Sequence, residues 1–180
     1  MIGTVRFVIA IACAGCAVPA PPATVTTMGT IGGRWTGLVA AAAQIETGPR
    51  GSMLVIALST LPDACSALAE SETVAGSAAI ELSFSKPGTG PNQFVPGTDP
   101  GTYATDAAGP PPWVSALVLD RDTSCAPTTA EGYATGTATI SSADASGYEG
   151  AFALVLVDGE QLNGTFHAES CTWNDAVVCR

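Results

Sequence analysis

Charge is scarce in this sequence. Only 12% of its 180 residues are Asp, Glu, Lys or Arg, and six of those are basic. Long salt-bridged helices need more ions than that, so Ser, Thr, Gly, Ala and Asn must cover most of the surface. Beyond the N-terminus the basic residues are Arg34, Arg50, Lys86, Arg121 and Arg180, scattered along the chain. No basic stripe can form from them, and the formal net charge of −10 repels phosphate. Nucleic acid is thereby excluded as a partner, as is direct electrostatic binding to anionic lipid headgroups. Histidine is nearly absent too: His167 is the only one, and no Gly-x-Ser-x-Gly elbow accompanies it. A Ser/His/Asp or Cys/His catalytic arrangement would have to use that one imidazole.

The first residues carry an export pattern. Arg6 supplies a positive charge, Phe7-Val8-Ile9-Ala10-Ile11-Ala12 is wholly apolar, and small residues lead into Cys16. Residues 7–14 fall short of the roughly 20 apolar residues that a membrane-spanning helix needs, so the order reads as a signal peptide. Cys13-Ala14-Gly15-Cys16 resembles the bacterial lipobox, in which small residues precede an obligatory lipid-accepting cysteine. Cys13 stands where that pattern usually has Leu and is the alternative acceptor, but Gly15 directly before Cys16 favours the second cysteine. The resemblance implies cleavage ahead of Cys16 and a membrane anchor of several acyl chains, each buried methylene contributing roughly 0.8 kcal/mol. An ordinary signal peptide releasing a soluble protein is the other reading. Ala17 after the cysteine, where an Asp resembles an inner-membrane retention signal, implies the outer membrane in a cell with two membranes.

Residues 1–15 are therefore expected to be a lipoprotein signal peptide. Residues 16–30, with Pro19, Pro21 and Pro22, read as the lipidated cysteine and a proline-stiffened tether, and residues 31–180 as a single β domain. Twenty glycines and 13 prolines punctuate short apolar runs at the spacing of an all-β fold. In residues 161–169 the alternation is strict, with Leu162, Gly164, Phe166 and Ala168 on one face and Gln161, Asn163, Thr165, His167 and Glu169 on the other. This predicts a half-buried strand with a solvent-facing His167. Residues 150–157 place Phe152, Leu154 and Leu156 opposite Ala151, Ala153, Val155 and Val157, predicting burial on both faces. A three-residue loop at Asp158-Gly159-Glu160 pairs Phe152 with Phe166 and Leu156 with Leu162, whereas a two-residue turn would set Phe152 against Thr165.

Further strands are expected at residues 133–141, 113–120, 77–85 and 52–60, with a short edge strand at 101–105. Residues 36–46 contain four consecutive alanines, which favour helix, but the following Gly-Pro-Arg-Gly looks like a hairpin loop, so this segment is also read as strand. Residues 62–68 suit one helical turn, and residues 86–112, with seven prolines, suit a long loop that is functional or disordered. About eight strands joined as neighbours predict an antiparallel meander, closed as a barrel or folded as a two-layer sandwich.

With Cys13 removed and Cys16 lipidated, Cys65, Cys125, Cys171 and Cys179 remain. In an oxidising compartment they read as two disulfides, since no Cys-x-x-Cys or Cys/His cluster exists among them to hold a metal. Counting strands up and down favours Cys65 with Cys171; a local clip from Cys171 to Cys179 is the rival. Asp120-Arg121-Asp122-Thr123-Ser124 offers calcium-type donors but lacks the glycine and distal glutamate of the helical calcium loop, so it reads as a solvated strand end. No metal or cofactor is expected.

Gly33-Arg34-Trp35 resembles the Gly-x-Trp signature of lipocalins and the similar start of avidins, which implies a binding barrel for a small apolar ligand with Trp35 at its base; a packed core Trp is the plainer reading. A broader likeness runs through Leu61-Pro62-Asp63-Ala64-Cys65, Gly101-Thr102-Tyr103, Leu119-Asp120 with Cys125, Gly136-Thr137-Ala138-Thr139-Ile140, and Leu162-Asn163-Gly164-Thr165-Phe166-His167-Ala168 with Cys171. These segments resemble small uncharacterised secreted lipoproteins of myxobacteria and related bacteria. The resemblance implies an exported β domain without an assigned activity. The expectation is a non-catalytic, membrane-tethered binding or structural domain of the cell envelope, with an apolar-ligand barrel as the second reading and an enzyme as the third.

Overall fold

A computed structural model describes residues 24–35, 37–62, 65, 72–73, 75–105, 111–130, 132–172 and 178–179. The leader, Cys16 and most of the expected tether lie outside them, as do residues 63–64, 66–71 and 106–110. In chain order the strands are β1 (Thr24–Ile31), β2 (Arg34–Trp35), β3 (Ala40–Gly48), β4 (Gly51–Ser59), β5 (Glu72–Thr73), β6 (Ala78–Pro87), β7 (Phe94–Pro96), β8 (Gly101–Ala104), β9 (Trp113–Asp120), β10 (Gly132–Asp144), β11 (Gly147–Val155), β12 (Gln161–Ser170) and β13 (Val178–Cys179). Apart from the helical Cys65, the described regular structure is all strand. β1 falls within the stretch read as tether, and it hydrogen-bonds along β12 from Thr24 opposite His167 to Gly29 opposite Leu162.

The sheet is mixed rather than purely antiparallel, and the reason is parity. β3, β4, β6, β9, β10, β11 and β12 follow one another as antiparallel neighbours, and the hydrogen bonding then returns from β12 to β3 in a ring. A ring of alternating directions needs an even number of strands. With seven, the closing pair must run the same way, and β12 is indeed parallel to β3, with Glu169 opposite Ala42 and Ser170 opposite Ala43.

Period-2 patterning fills the inside of this ring. β6 turns Ala78, Ile80, Leu82 and Phe84 inward, β9 turns Val114, Ala116 and Val118, and β12 turns Leu162, Phe166 and Ala168, all buried in one cluster. Tyr103 of β8 is buried against Phe84, edge to face with ring centroids 5.0 Å apart. The alanine run is strand rather than helix because both of its faces are covered. Ala41 and Ala43 belong to the interior, while Ala40 and Ala42 pack outside with Val55, Ala57, Met53, Cys65 and Cys171.

The β11–β12 hairpin keeps the expected faces but not the expected register. Phe152 stands opposite Gly164, Gly150 opposite Phe166, and Leu154 opposite Leu162. Each phenylalanine ring lies over the other strand's glycine: a Cβ on Gly164 would come within 2.6 Å of Phe152 Cζ, and one on Gly150 within 2.5 Å of Phe166 Cζ. A cross-strand ring that shields a strand glycine is one of the devices that pin strand register. The outer face of β11 also departs from expectation. Ala151, Ala153, Val155 and Val157 are exposed rather than buried, because no second layer of described residues covers them.

Candidate functional site

Residues 86–105, expected as part of a long loop with a short edge strand at 101–105, are tied down by strands and by polar contacts, and β8 lies where that edge strand was expected. β7 pairs with β6 and touches β4, where the Phe94 N–H donates to the Arg50 carbonyl at 2.8 Å. Lys86 forms an ion pair with Asp99, and the Tyr103 hydroxyl donates to the Asp99 carbonyl at 2.9 Å. Burial pushes the Tyr103 phenol above its ordinary range, with Lys86 opposing and Asp99 adding to the rise.

β8 then acts as a wedge. β9 and β10 pair directly only from Gly132 opposite Val118 to Ala134 opposite Ala116. Beyond that point β10 pairs with β8, whose Ala104 lies beside Trp113. The Gly136 N–H donates to Thr105 Oγ1 at 2.7 Å, and the Thr105 N–H donates back to the Gly136 carbonyl at 3.0 Å.

Where β9 and β10 part, the outer face of the sheet sinks into a groove of about 430 Å³. That falls within the roughly 300–1,000 Å³ typical of small-molecule sites. Its floor carries Ser83 and Ser85 from β6, Ser115 from β9 and Thr135 from β10, the outward positions between inward Leu82, Phe84, Val114, Ala116 and Ala134. Met53, Phe94 and Trp113 wall one end, with the Phe94 and Trp113 rings edge to face at 6.2 Å; Tyr133, 71% exposed, stands at the other. None of the lining residues is ionised. Among the described residues the hydroxyls of Ser83, Ser85, Ser115 and Thr135 make no hydrogen bond, in contrast to Thr105. Alternation alone makes these residues the polar side of their strands. The concavity needs the β8 wedge, which no local pattern announces.

The residues singled out in the sequence lie elsewhere. Asp120, expected at a solvated strand end, is 1% exposed and accepts from the Arg34 guanidinium and the Thr128 hydroxyl. Asp122 folds into its own turn, accepting from the Ser124 N–H and hydroxyl, both at 2.7 Å, and from the Ala126 N–H at 2.9 Å. Those bonds, the Ser124 hydroxyl first, hold its carboxyl below the usual carboxylate range. The two carboxylates are thus spent separately, and among the described residues no three of His, Cys, Asp and Glu converge to hold a metal ion.

Gly32-Gly33 makes the turn between β1 and β2, and the Gly33 N–H donates to Glu160 Oε1 at 3.0 Å. The Trp35 side chain lies outside what is described, and the neighbouring Arg34 ties this turn to Asp120. His167, expected to face solvent, is 12% exposed. It sits on the outer face between Glu149 of β11, its Nδ1 3.4 Å from Glu149 Oε1, and Thr24 of β1. The unexpected first strand flanks it on one side.

Cys65 and Cys171 form a disulfide with Cα atoms 5.9 Å apart, as the strand count favoured, which excludes the Cys171 to Cys179 clip. Cys125 is also disulfide-bonded. No family model, curated protein or solved structure matches the chain.

Proposed function

We propose that this chain is an exported bacterial lipoprotein, held by acyl chains on Cys16 to the envelope, most simply the outer membrane, and that its β domain is a non-catalytic binding module using the outer-face groove. The carrying observation is the contrast between the two sides of the sheet. The interior is filled by a continuous apolar cluster running from Ile31 to Ala168, whereas the concave, ring-walled, hydroxyl-floored surface lies outside it. Continuous pairing around seven strands supports a barrel over a two-layer sandwich. A recognition surface on the barrel wall needs nothing from the interior, so the core is free to serve stability alone. The non-catalytic reading is supported by His167, whose charged neighbours include Glu149 and Asp144 and whose ring nitrogens have no hydrogen-bonded nucleophile among the described residues. The scattered basic residues and the net charge of −10 leave the lipid, rather than the protein surface, as the membrane contact.

The anchor is tested by detergent-phase partition of the chain expressed with its leader. The wild type is expected in the detergent phase and the Cys16→Ser variant in the aqueous phase, because several acyl chains bind firmly where none remains to do so. Aqueous partition of both would remove the anchor from the account.

A further inference from the structure

The groove sets three conditions on whatever fills it. First, its floor strands β6, β9 and β10 are paired along their lengths except at Val114 and Ser115 of β9 and Thr135 of β10, where β9 and β10 part, and a gap of two residues is too short for an extended peptide to join as a strand. Recognition has to run through side chains. Second, no Asp, Glu, Lys or Arg lines it, although the chain carries 16 carboxylates elsewhere. An ionic ligand gains no partner there. Third, the floor hydroxyls have no hydrogen bond among the described residues. A wholly apolar ligand would strip their water and return no hydrogen bond in exchange, so each covered hydroxyl would weaken its binding.

A ligand that is uncharged, dense in hydroxyls and apolar on its ring faces meets all three. The electron-rich face of an aromatic ring attracts the slightly positive C–H bonds of a pyranose, and Ser and Thr hydroxyls both donate to and accept from sugar hydroxyls. Resting on the reading of this groove as the binding site, we infer that the outer-face groove between Trp113 and Tyr133 binds a neutral oligosaccharide. Its hydroxyls bond Ser83, Ser115 and Thr135 while its ring faces lie on the aromatic walls. A polysaccharide of the envelope or of the surroundings supplies the same chemistry.

The test is amide chemical-shift mapping of the mature chain with cellohexaose, maltohexaose and chitohexaose, beside the apolar probe N-phenyl-1-naphthylamine. At least one hexasaccharide is expected to shift the amides of Ser83, Ser115 and Thr135. Tyr133→Ala is expected to weaken that binding at least about tenfold, as truncating an aromatic anchor does. Ser115→Ala is a second variant at an exposed position, and neither should move the unfolding midpoint, since both side chains lie outside the core. Shifts with the naphthylamine alone would overturn the sugar inference and leave the groove as a binding site. Shifts with no probe would overturn both. Hexasaccharide binding that is indifferent to both substitutions would place the sugar elsewhere and also overturn the inference.

Discussion

Asp120→Ala is expected to lower the free energy of unfolding by about 3–5 kcal/mol, the range for breaking a buried ion pair from one side. Asp120 ends β9 with its side chain turned inward, where the strand pattern calls for an apolar residue, and it is 1% exposed. It is tolerated because two donors meet it, the Arg34 guanidinium from the β2 strand and the Thr128 hydroxyl from the following turn, while the Thr128 N–H donates to its carbonyl at 3.0 Å. Removing the carboxylate therefore releases the β1–β2 turn and the segment after β9 together. Arg34 is 47% exposed and regains water when its partner is gone, which places the loss toward the lower end of the range. Arg34→Ala strands the buried charge instead and should cost at least as much. Urea unfolding of the Cys16→Ser chain reads both, and an unchanged midpoint for Asp120→Ala would show that the pair does not hold this end of the ring.

Removing the Cys65–Cys171 disulfide has a comparable expected effect. The cysteines are 106 residues apart, and closing a loop of about 100 residues restricts the unfolded chain by about 4.7 kcal/mol in the chain-entropy model. The location adds to the consequence. β12 meets β3 over just two residue pairs, and the Cys171 N–H extends that contact by donating to the Ala43 carbonyl at 2.9 Å. The disulfide sits at this seam and covers Ala40, Ala42, Val55 and Ala57 on the outer face. The Cys65→Ala/Cys171→Ala chain should unfold at markedly lower temperature, with the loss appearing first as faster amide exchange at Glu169, Ser170 and Cys171. A melt unaffected by the double substitution would remove the seam from the account.

The long strands were legible because period-2 alternation reports directly which side of a strand meets the core. β9 begins and ends at the residues expected, and β12 ends one residue later. What the alternation does not report is register and closure. The β11–β12 pairing differs by two residues from the sequence reading, a shift that leaves every face unchanged and so cannot be seen in face patterns. It was decided by glycines at 150 and 164, whose missing side chains make room for the rings of Phe166 and Phe152 directly opposite on the neighbouring strand.

The disulfide illustrates a correct pairing reached through a wrong premise. The up-and-down count treated β8 as a full strand of the meander, but β6 pairs directly with β9 and β8 is a wedge. Counted without β8, Cys65 and Cys171 follow strands that end at opposite rims. They meet because β12 stops opposite the middle of β3 and Cys65 packs back on the outer face of β3 and β4. The same wedge creates the groove, which is why nothing in the local pattern singles out Trp113, Tyr133 or the serines of β6 and β9. Asp120 and His167 were misplaced for a related reason. Each reads as polar and exposed within its own segment, but Arg34 of β2 meets Asp120 and β1 pairs beside His167, contacts that no pattern within either segment reports.

The claim on which the rest depends is that this chain meets its ligand on the outside of a filled sheet. Native mass spectrometry of the Cys16→Ser chain tests it most directly. The expected mass is that of the disulfide-bonded polypeptide with no small apolar molecule retained, for the wild-type groove and for Tyr133→Ala alike. A stoichiometric apolar molecule that co-purifies with both would place the binding site inside the ring and contradict the account.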